Sequence, residues 1–287
     1  MKKIMILFAA LLFCHVASAA SVKKESIVDQ GITREYHVYI PDNLPAGAPL
    51  VFILHGYGGS ATSYVNNSSL TFKQLADEYK VALCYPQATR DSKNTGWNVY
   101  YPWQIGKMQV DDCEFICNLA KHLHATYNLS AKNTFLTGMS NGGEMCYLLA
   151  YRKPKEFAAI ASMAGLTLVE MAKRHNFTEP IAFMEVHGTG DKTSRWEGDP
   201  TDQYGWGAYL PVPVAVGAIA AANKCMYEET TELPQIKNRV TLHRYYGAPS
   251  GKEVLFYEVR GGGHNWATDS FDSCRTIMEF FKKNMTK

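Results

Sequence analysis

The serine in a glycine-flanked turn at residues 138–143, Gly-Met-Ser-Asn-Gly-Gly, is the best candidate nucleophile of this chain. An apolar stretch before this segment predicts a strand, and the stretch after it predicts a helix. G-x-S-x-G between a strand and a helix is typical of a nucleophile elbow, in which glycines two residues either side of the serine prevent side-chain collisions. Ser140 is therefore the predicted nucleophile, at a helix N-terminus that favours developing negative charge. The alternative is a glycine-rich turn with an exposed serine.

A serine hydroxyl needs a base that takes its proton, and position in the chain narrows the choice among the histidines. His264 lies in a glycine-rich loop, residues 260–266, between the last predicted strand and the closing helix. A loop there can place an imidazole over the edge of a sheet. His55 also ends a predicted strand, but it precedes Ser140 and belongs to another element. His264 is the predicted base.

The base needs an acid that fixes its tautomer, and Asp191 is the predicted one. The apolar segment 181–186 predicts a strand that leads into His-Gly-Thr-Gly-Asp, with Asp191 at the tip of the loop. A serine, an acid and a histidine in this chain order are typical of α/β hydrolases. Asp199 and Asp202 follow closely and stay open as rivals. His187 is expected to support the loop.

Acyl transfer also needs N–H donors for the oxyanion of the tetrahedral intermediate. The turn supplies the backbone N–H of Asn141. The apolar strand 50–54 ends in His-Gly-Tyr-Gly-Gly-Ser, where the N–H of Tyr57 is the predicted second donor. This mechanism requires neither a metal nor a cofactor, and the glycine runs lack the spacing of nucleotide-binding loops.

The elements that must position these residues alternate between short apolar strands and helical patterns along the chain. This alternation predicts an α/β fold with a mostly parallel sheet, helices on both faces and no large cap domain. Reactive groups of such sheets gather at the carboxyl ends of the strands. No linker, repeat or charge block divides the chain, so residues 20–287 are predicted to form one catalytic domain.

Residues 1–19 have the layout of a secretory signal peptide: two lysines, an apolar run and the small residues Ala17-Ser18-Ala19. We therefore expect a secreted protein that is cleaved after Ala19. The remaining chain carries equal numbers of basic and acidic residues, which gives no electrostatic reason to expect nucleic acid or a membrane as partner. Its six cysteines are predicted to be mostly small buried side chains, although disulfides stay possible.

Several segments together resemble the polyhydroxybutyrate depolymerase-like and feruloyl esterase branch of carbohydrate esterase family 1. They are LHGYGGS (54–60), GWN (96–98), VDDCEFI (110–116), GMSNGGEM (138–145), HGTGD (187–191) and GGGHNW (261–266). The resemblance implies an α/β-hydrolase esterase. It places the catalytic triad of the family on Ser140, Asp191 and His264, and its oxyanion donors on Tyr57 and Asn141. Its usual proline after the histidine-loop tryptophan is Ala267 here, and the usual partner of Cys225 near Ala248 is absent. A pair between Cys225 and Cys274 stays possible.

Tryptophans in loops or near strand ends are candidates for a platform that binds a sugar ring or a phenolic acyl group, namely Trp97, Trp196, Trp206 and Trp266. Segments 194–199 and 204–207 resemble bacterial enzymes that process plant cell-wall xylan. The expected substrate is therefore a ferulate or related hydroxycinnamate ester of arabinoxylan. Acetylated xylan is the second candidate substrate, and a polyester is the third. A serine peptidase and a non-catalytic carbohydrate-binding protein are weaker alternatives, and the oligomeric state is open.

Overall fold

A ten-stranded β-sheet forms the centre of the protein in this computed structural model, which describes residues 20–234 and 236–286. In chain order the strands are β1 (Ser21–Asp29), β2 (Ile32–Ile40), β3 (Leu50–Leu54), β4 (Ala82–Pro86), β5 (Thr134–Met139), β6 (Ala159–Met163), β7 (Ala182–Gly188), β8 (Tyr227–Glu232), β9 (Val240–Tyr246) and β10 (Val254–Val259). Across the sheet their order is β1-β2-β4-β3-β5-β6-β7-β10-β9-β8. The six central strands are parallel, and antiparallel strands form both edges.

Helices cover both faces of the sheet, each over its own apolar core. The helices are α1 (Ala61–Val65), α2 (Phe72–Tyr79), α3 (Asp112–Tyr127), α4 (Asn141–Arg152), α5 (Val169–Arg174), α6 (Val212–Ala222) and α7 (Ser273–Lys283). One core contains Phe115 of α3, Met145 of α4 and Ile219 of α6. The other contains Leu75 of α2 and Phe281 of α7. The predicted α/β fold, with a mostly parallel sheet and helices on both faces, is confirmed.

The apolar patterns of the sequence predict helices over 72–79 and 212–222 and a strand over 254–259, and α2, α6 and β10 have these bounds. The pattern after Ser140 predicts a helix from Glu144, but α4 starts directly at Asn141. The apolar spacing also predicts a helix from Gln109, but α3 starts only at Asp112, because the Asp111 side chain accepts the N–H groups of Cys113 and Glu114 and caps it. The edge strand β8 was not predicted, since its six residues are all exposed and show no apolar alternation.

Strand register brings the predicted functional loops to one edge of the sheet. Leu54, at the end of β3, is opposite Gly138, just before the turn that holds Ser140. Gly188, at the end of β7, is opposite Val259, at the end of β10. The loops that carry Asp191 and His264 therefore leave neighbouring strands. The two longest connections, residues 87–111 and 189–211, contain only turns and isolated bridges, in agreement with the absence of a large cap domain.

Neither a membrane span nor a metal cluster occurs in the part of the chain that the structure describes. No helix there is long and apolar enough to cross a bilayer, and no group of His, Cys, Asp and Glu side chains could hold a metal ion. The six cysteines in the same part are free, and all except Cys225 are buried. The pair between Cys225 and Cys274 is therefore not formed. The predicted signal peptide lies outside the described residues.

A buried ion pair joins β2 to α3 beneath the loop that contains the GWN segment. Arg34 Nη2 lies 2.7 Å from Asp112 Oδ1, with side-chain exposures of 2% and 0%. The other oxygen of Asp112 accepts the Asn98 N–H at 2.8 Å. We expect Asp112→Ala to lower the free energy of unfolding by about 3–5 kcal/mol, because it leaves a guanidinium buried without its counter-charge. Urea denaturation measures this loss, with Asp42→Ala at the surface as control; a loss below about 1 kcal/mol would contradict the expectation.

Candidate active site

Ser140 occupies a strained turn between β5 and α4, with φ of 57° and ψ of −123°. Its N–H donates to Met163 O of the neighbouring strand at 2.9 Å. A Cβ atom at Gly142 would lie 2.5 Å from Leu54 O, and one at Gly138 would lie 2.6 Å from the Gly142 backbone. Glycines are thus required on both sides of Ser140, as predicted. The collisions that they avoid, however, are with each other and with the end of β3 rather than with the serine.

We expect Gly142→Ala to destabilise the protein by about 1–3 kcal/mol or more and to displace the serine, since its new methyl group would overlap backbone that cannot rotate away. Thermal unfolding and ester hydrolysis measure the two effects. Gly217→Ala is the matched control. Its methyl group would meet nothing within 4 Å, and alanine in a helix is favoured over glycine by about 1 kcal/mol. Equal stability of the two variants would contradict the requirement at residue 142.

Asp191 and His264 meet as predicted. His264 Nδ1 lies 2.7 Å from Asp191 Oδ2, and the Asp191 side chain is fully buried. The other carboxylate oxygen of Asp191 accepts the N–H groups of Thr193 and Ser194, each at 2.8 Å. The Gly190 N–H also donates to Gly262 O at 2.9 Å, which ties the two loops together. The acid is therefore fixed in position, and the 22% exposed imidazole lies between it and solvent.

The rival acids Asp199 and Asp202 are engaged within their own loop. The Asp199 carboxylate accepts the N–H groups of Gln203 and Tyr204, both at 2.9 Å. Asp202 Oδ1 accepts the Gly207 N–H at 2.7 Å. Both carboxylates satisfy backbone donors in a turn, and the contact with the imidazole belongs to Asp191.

A second histidine, His187, supports the loop that carries Asp191. His187 Nε2 lies 2.8 Å from Ser194 O, and its Nδ1 lies 2.9 Å from Glu185 Oε1. Because a carbonyl oxygen can only accept, Nε2 carries the hydrogen. Burial alone would lower the pKa of His187, but the carboxyl of Glu185 raises it. This arrangement agrees with the predicted supporting role of His187.

The two predicted oxyanion donors lie next to Ser140. A Cβ atom at Gly56 would be only 3.3 Å from Ser140 Cβ, so the loop after β3 touches the elbow. Among the described residues, the N–H groups of Tyr57 and Asn141 have no hydrogen-bond acceptor. The Tyr57 ring is held by its hydroxyl, which donates to Asp91 at 2.9 Å. Two free N–H groups beside a serine can bind the oxygen of a tetrahedral intermediate.

Trp97 is a supporting residue of this loop, and the prediction that it contacts substrate is wrong. Its side chain is fully buried, and Nε1 donates to His55 O at 2.9 Å. The Trp97 N–H also donates to Asn141 Oδ1 at 2.7 Å, which connects the GWN segment to the elbow. His55 is buried beside it, and burial lowers its pKa to about 4. A side chain without exposed surface cannot present a platform to a sugar.

Of the other three tryptophans, only Trp206 lines the cavity beside Ser140. Trp266 is 7% exposed, packs edge-on against Tyr64 and Phe72 and is not part of the cavity lining, so its substrate contact stays a prediction. Trp196 stacks on Phe256 with ring centroids 5.3 Å apart. Loop tryptophans near a sheet edge thus serve mainly to pack the loops.

The cavity beside Ser140 is narrow, with a volume of about 10 Å³. Its lining consists of polar and aromatic side chains and one leucine: Tyr101, Ser140, Glu144, Leu166, Thr193, Ser194 and Trp206. The Trp206 ring meets Tyr57, Tyr101 and Trp103 at centroid distances of 5.8, 5.6 and 5.9 Å. We call these four rings the aromatic cluster. Sequence reasoning missed Glu144, although an acid one helical turn after the serine in an apolar helix is a visible signal.

The arrangement has the parts of an acyl-transfer site: a strained serine at a helix N-terminus, two free N–H groups and an imidazole fixed by a carboxylate. The Ser140 hydroxyl makes no hydrogen bond to a side chain among residues 20–234 and 236–286. Such contacts are often long in free enzymes and shorten when substrate binds.

Comparisons with known proteins agree with this chemistry. The family model described as Esterase PHB depolymerase matches residues 34–194. The "Probable feruloyl esterase C" of Aspergillus oryzae is 28% identical over 70% of this chain and 72% of its own length. Feruloyl esterase B of Talaromyces funiculosus is 28% identical over 56% of this chain and 45% of its own.

Among solved structures, the acetyl xylan esterase from Aspergillus awamori has a TM-score of 0.64 and 17% identity, and the match covers 91% of this chain and 99% of that one. The likeness supports the α/β-hydrolase fold. The family match spans more than half of the chain. The protein therefore belongs to the Esterase PHB depolymerase family and is an esterase.

Proposed function

We propose that the protein hydrolyses carboxylic esters through an acyl-enzyme formed on Ser140. His264 takes the proton of the Ser140 hydroxyl as this oxygen attacks the ester carbonyl, and it then gives the proton to the departing alcohol. A water, deprotonated by His264, next attacks the acyl-enzyme, and the free acid leaves as Ser140 regains its proton. Asp191 holds the imidazole in the tautomer with a hydrogen on Nδ1. The N–H groups of Tyr57 and Asn141 bind the oxyanion. The observation that carries this proposal is the 2.7 Å contact between Asp191 and His264 at the sheet edge that also holds the serine elbow.

For the acyl group, we propose a hydroxycinnamate such as ferulate, carried on a plant cell-wall polysaccharide. The aromatic cluster supports this choice, because Tyr101 and Trp206 line the cavity next to Ser140 and aromatic faces bind phenolic rings well. Two of the relatives described above are named feruloyl esterases.

An acetyl group is the second candidate, and the size of the cavity favours it. The volume of the cavity is about 10 Å³, far below the roughly 300 Å³ at which pockets begin to enclose drug-sized ligands. A small acyl group would therefore displace fewer of the lining side chains than a feruloyl group, whose ring must move them to enter the cavity.

A substrate panel discriminates between the candidates. Hydrolysis of methyl ferulate, acetylated xylan and polyhydroxybutyrate is measured for the wild type and for Ser140→Ala, which serves as the blank. Ferulate release by the wild type alone supports the leading proposal. Cleavage of acetylated xylan without cleavage of methyl ferulate selects the acetyl group, and cleavage of no ester overturns the proposed function.

Export is part of the proposal and is supported by the sequence of residues 1–19. N-terminal sequencing of the protein recovered from an expressing bacterial culture should begin at Ala20. A chain that keeps Met1 would contradict export by this route.

A further inference from the structure

Glu144 is a buried acid in the active cavity with no part in the mechanism described so far. It lies one helical turn after Ser140 on α4, and only 2% of its surface is exposed. Its Oε2 atom accepts a hydrogen bond from Asn141 Nδ2 at 3.3 Å. The Asn141 amide is itself oriented, because its Oδ1 accepts the Trp97 N–H at 2.7 Å. One oxygen of Glu144 is thus held in a defined place.

No hydrogen bond of normal length reaches the second oxygen of Glu144 from the described residues, although the Tyr101 hydroxyl interacts with the carboxyl, and the side chain lines the cavity that contains Ser140. Burial raises the pKa of Glu144 to about 7, while interactions with the Tyr101 hydroxyl and with Asn141 lower it. A buried polar group is costly without a partner. Because the Glu144 carboxyl lines the cavity next to the serine and a carboxylate oxygen can accept more than one hydrogen bond, a substrate hydroxyl can donate to it in addition to Tyr101.

The lining of the cavity favours the acyl part of the substrate over the alcohol as its occupant. The departing alcohol must reach His264 to receive its proton. His264 does not line this cavity, whereas Ser140, Glu144 and Trp206 do. A group bonded to the serine and turned away from the imidazole therefore points toward Glu144.

We propose that Glu144 is a specificity-determining residue that accepts a hydrogen bond from a hydroxyl of the acyl group. This proposal rests on the proposed esterase function. The shared chemistry is a hydroxylated acyl group, either the phenol of a hydroxycinnamate or the hydroxyl of a short hydroxyacyl chain. An acyl group without a hydroxyl would displace water from the Glu144 carboxyl without replacing its hydrogen bond.

Glu144→Gln separates this role from a purely structural one. The glutamine oxygen can still accept from Asn141 Nδ2, so the contact within the helix is kept. The glutamine NH₂ group then faces the cavity, where an acceptor has become a donor. A merely structural role of Glu144 predicts equal effects of this variant on every ester.

The experiment compares kcat/KM on two pairs of esters whose members share a leaving group. One pair is methyl ferulate and its analogue without the phenolic hydroxyl, and the other is nitrophenyl hydroxybutyrate and nitrophenyl butyrate. We expect the wild type to prefer the hydroxylated member of one pair by roughly 10- to 100-fold, the range of a hydrogen bond to a charged group. Glu144→Gln should lose that preference, so that its kcat/KM for the two members of the pair becomes nearly equal. Glu179→Gln at the surface is the matched control.

Each outcome decides the proposal. Loss of preference in the phenolic pair identifies a hydroxycinnamate, and loss in the aliphatic pair identifies a short hydroxyacyl group. Equal rates of the wild type on both members of both pairs overturn the role of Glu144, even if the variant fails to fold. So does a folded variant whose rates fall equally on all esters. These results would overturn the role of Glu144 but not the proposed esterase function. The proposed esterase function itself is overturned if the wild type is inactive on every ester.

Discussion

Ser140→Ala is expected to lower kcat for ester hydrolysis on the order of 10⁶-fold, to the residual rate that binding and the oxyanion donors support without a nucleophile. Alanine keeps the Cβ atom, so the turn at φ of 57° is as strained as before and the fold should be unchanged. The loss of kcat would therefore measure the effect of removing the Ser140 hydroxyl oxygen alone.

Stopped assays with nitrophenyl acetate and labelling by a fluorophosphonate measure this effect. The wild type should be labelled once, and Ser140→Ala should not be labelled. Ser69→Ala, at an exposed loop position, should match the wild type in both measurements. A labelled Ser140→Ala protein would show that another residue is the nucleophile.

Asp191→Asn is expected to lower kcat by about 10⁴-fold near neutral pH, because the structure forces the new amide to present the wrong group to His264. The oxygen at the Oδ1 position accepts two N–H groups, from Thr193 and Ser194. Only the carbonyl oxygen of the new amide can occupy the Oδ1 position, so its NH₂ group must face His264 Nδ1. The imidazole must then accept at Nδ1 and carry its hydrogen on Nε2, where it can no longer take the proton of Ser140.

Asp199→Asn is the matched control for this substitution. The Asp199 carboxylate also accepts two backbone N–H groups, one on each oxygen. An amide there loses one of these bonds and costs about 1–3 kcal/mol of stability, but it leaves the tautomer of His264 alone. We therefore expect Asp191→Asn to lower kcat more than Asp199→Asn does, and Asp199→Asn to lower the temperature of thermal unfolding more than Asp191→Asn does. A large loss of kcat in Asp199→Asn with little loss in Asp191→Asn would move the acid to residue 199.

The nucleophile, base and acid could be chosen from the sequence because each lies directly after a strand. Ser140 follows β5, Asp191 follows β7 and His264 follows β10, and a parallel sheet collects such positions at one edge. The fold could be predicted for a similar reason, since buried parallel strands are continuous apolar runs that stand out from amphipathic helices. The exposed edge strand β8 has neither signal, and only its hydrogen bonds to β9 identify it.

The sequence by itself therefore determined the fold and the three residues proposed for catalysis, because local patterns carry that information. The tertiary structure alone decided which aromatic side chains face the cavity. Trp97 and Trp206 both lie in loops, yet one is fully buried against His55 and the other lines the site of Ser140. The tertiary structure also places the Glu144 side chain in the lining of the same cavity. Burial and direction of a side chain depend on contacts between segments far apart in the chain, and no local spacing encodes them.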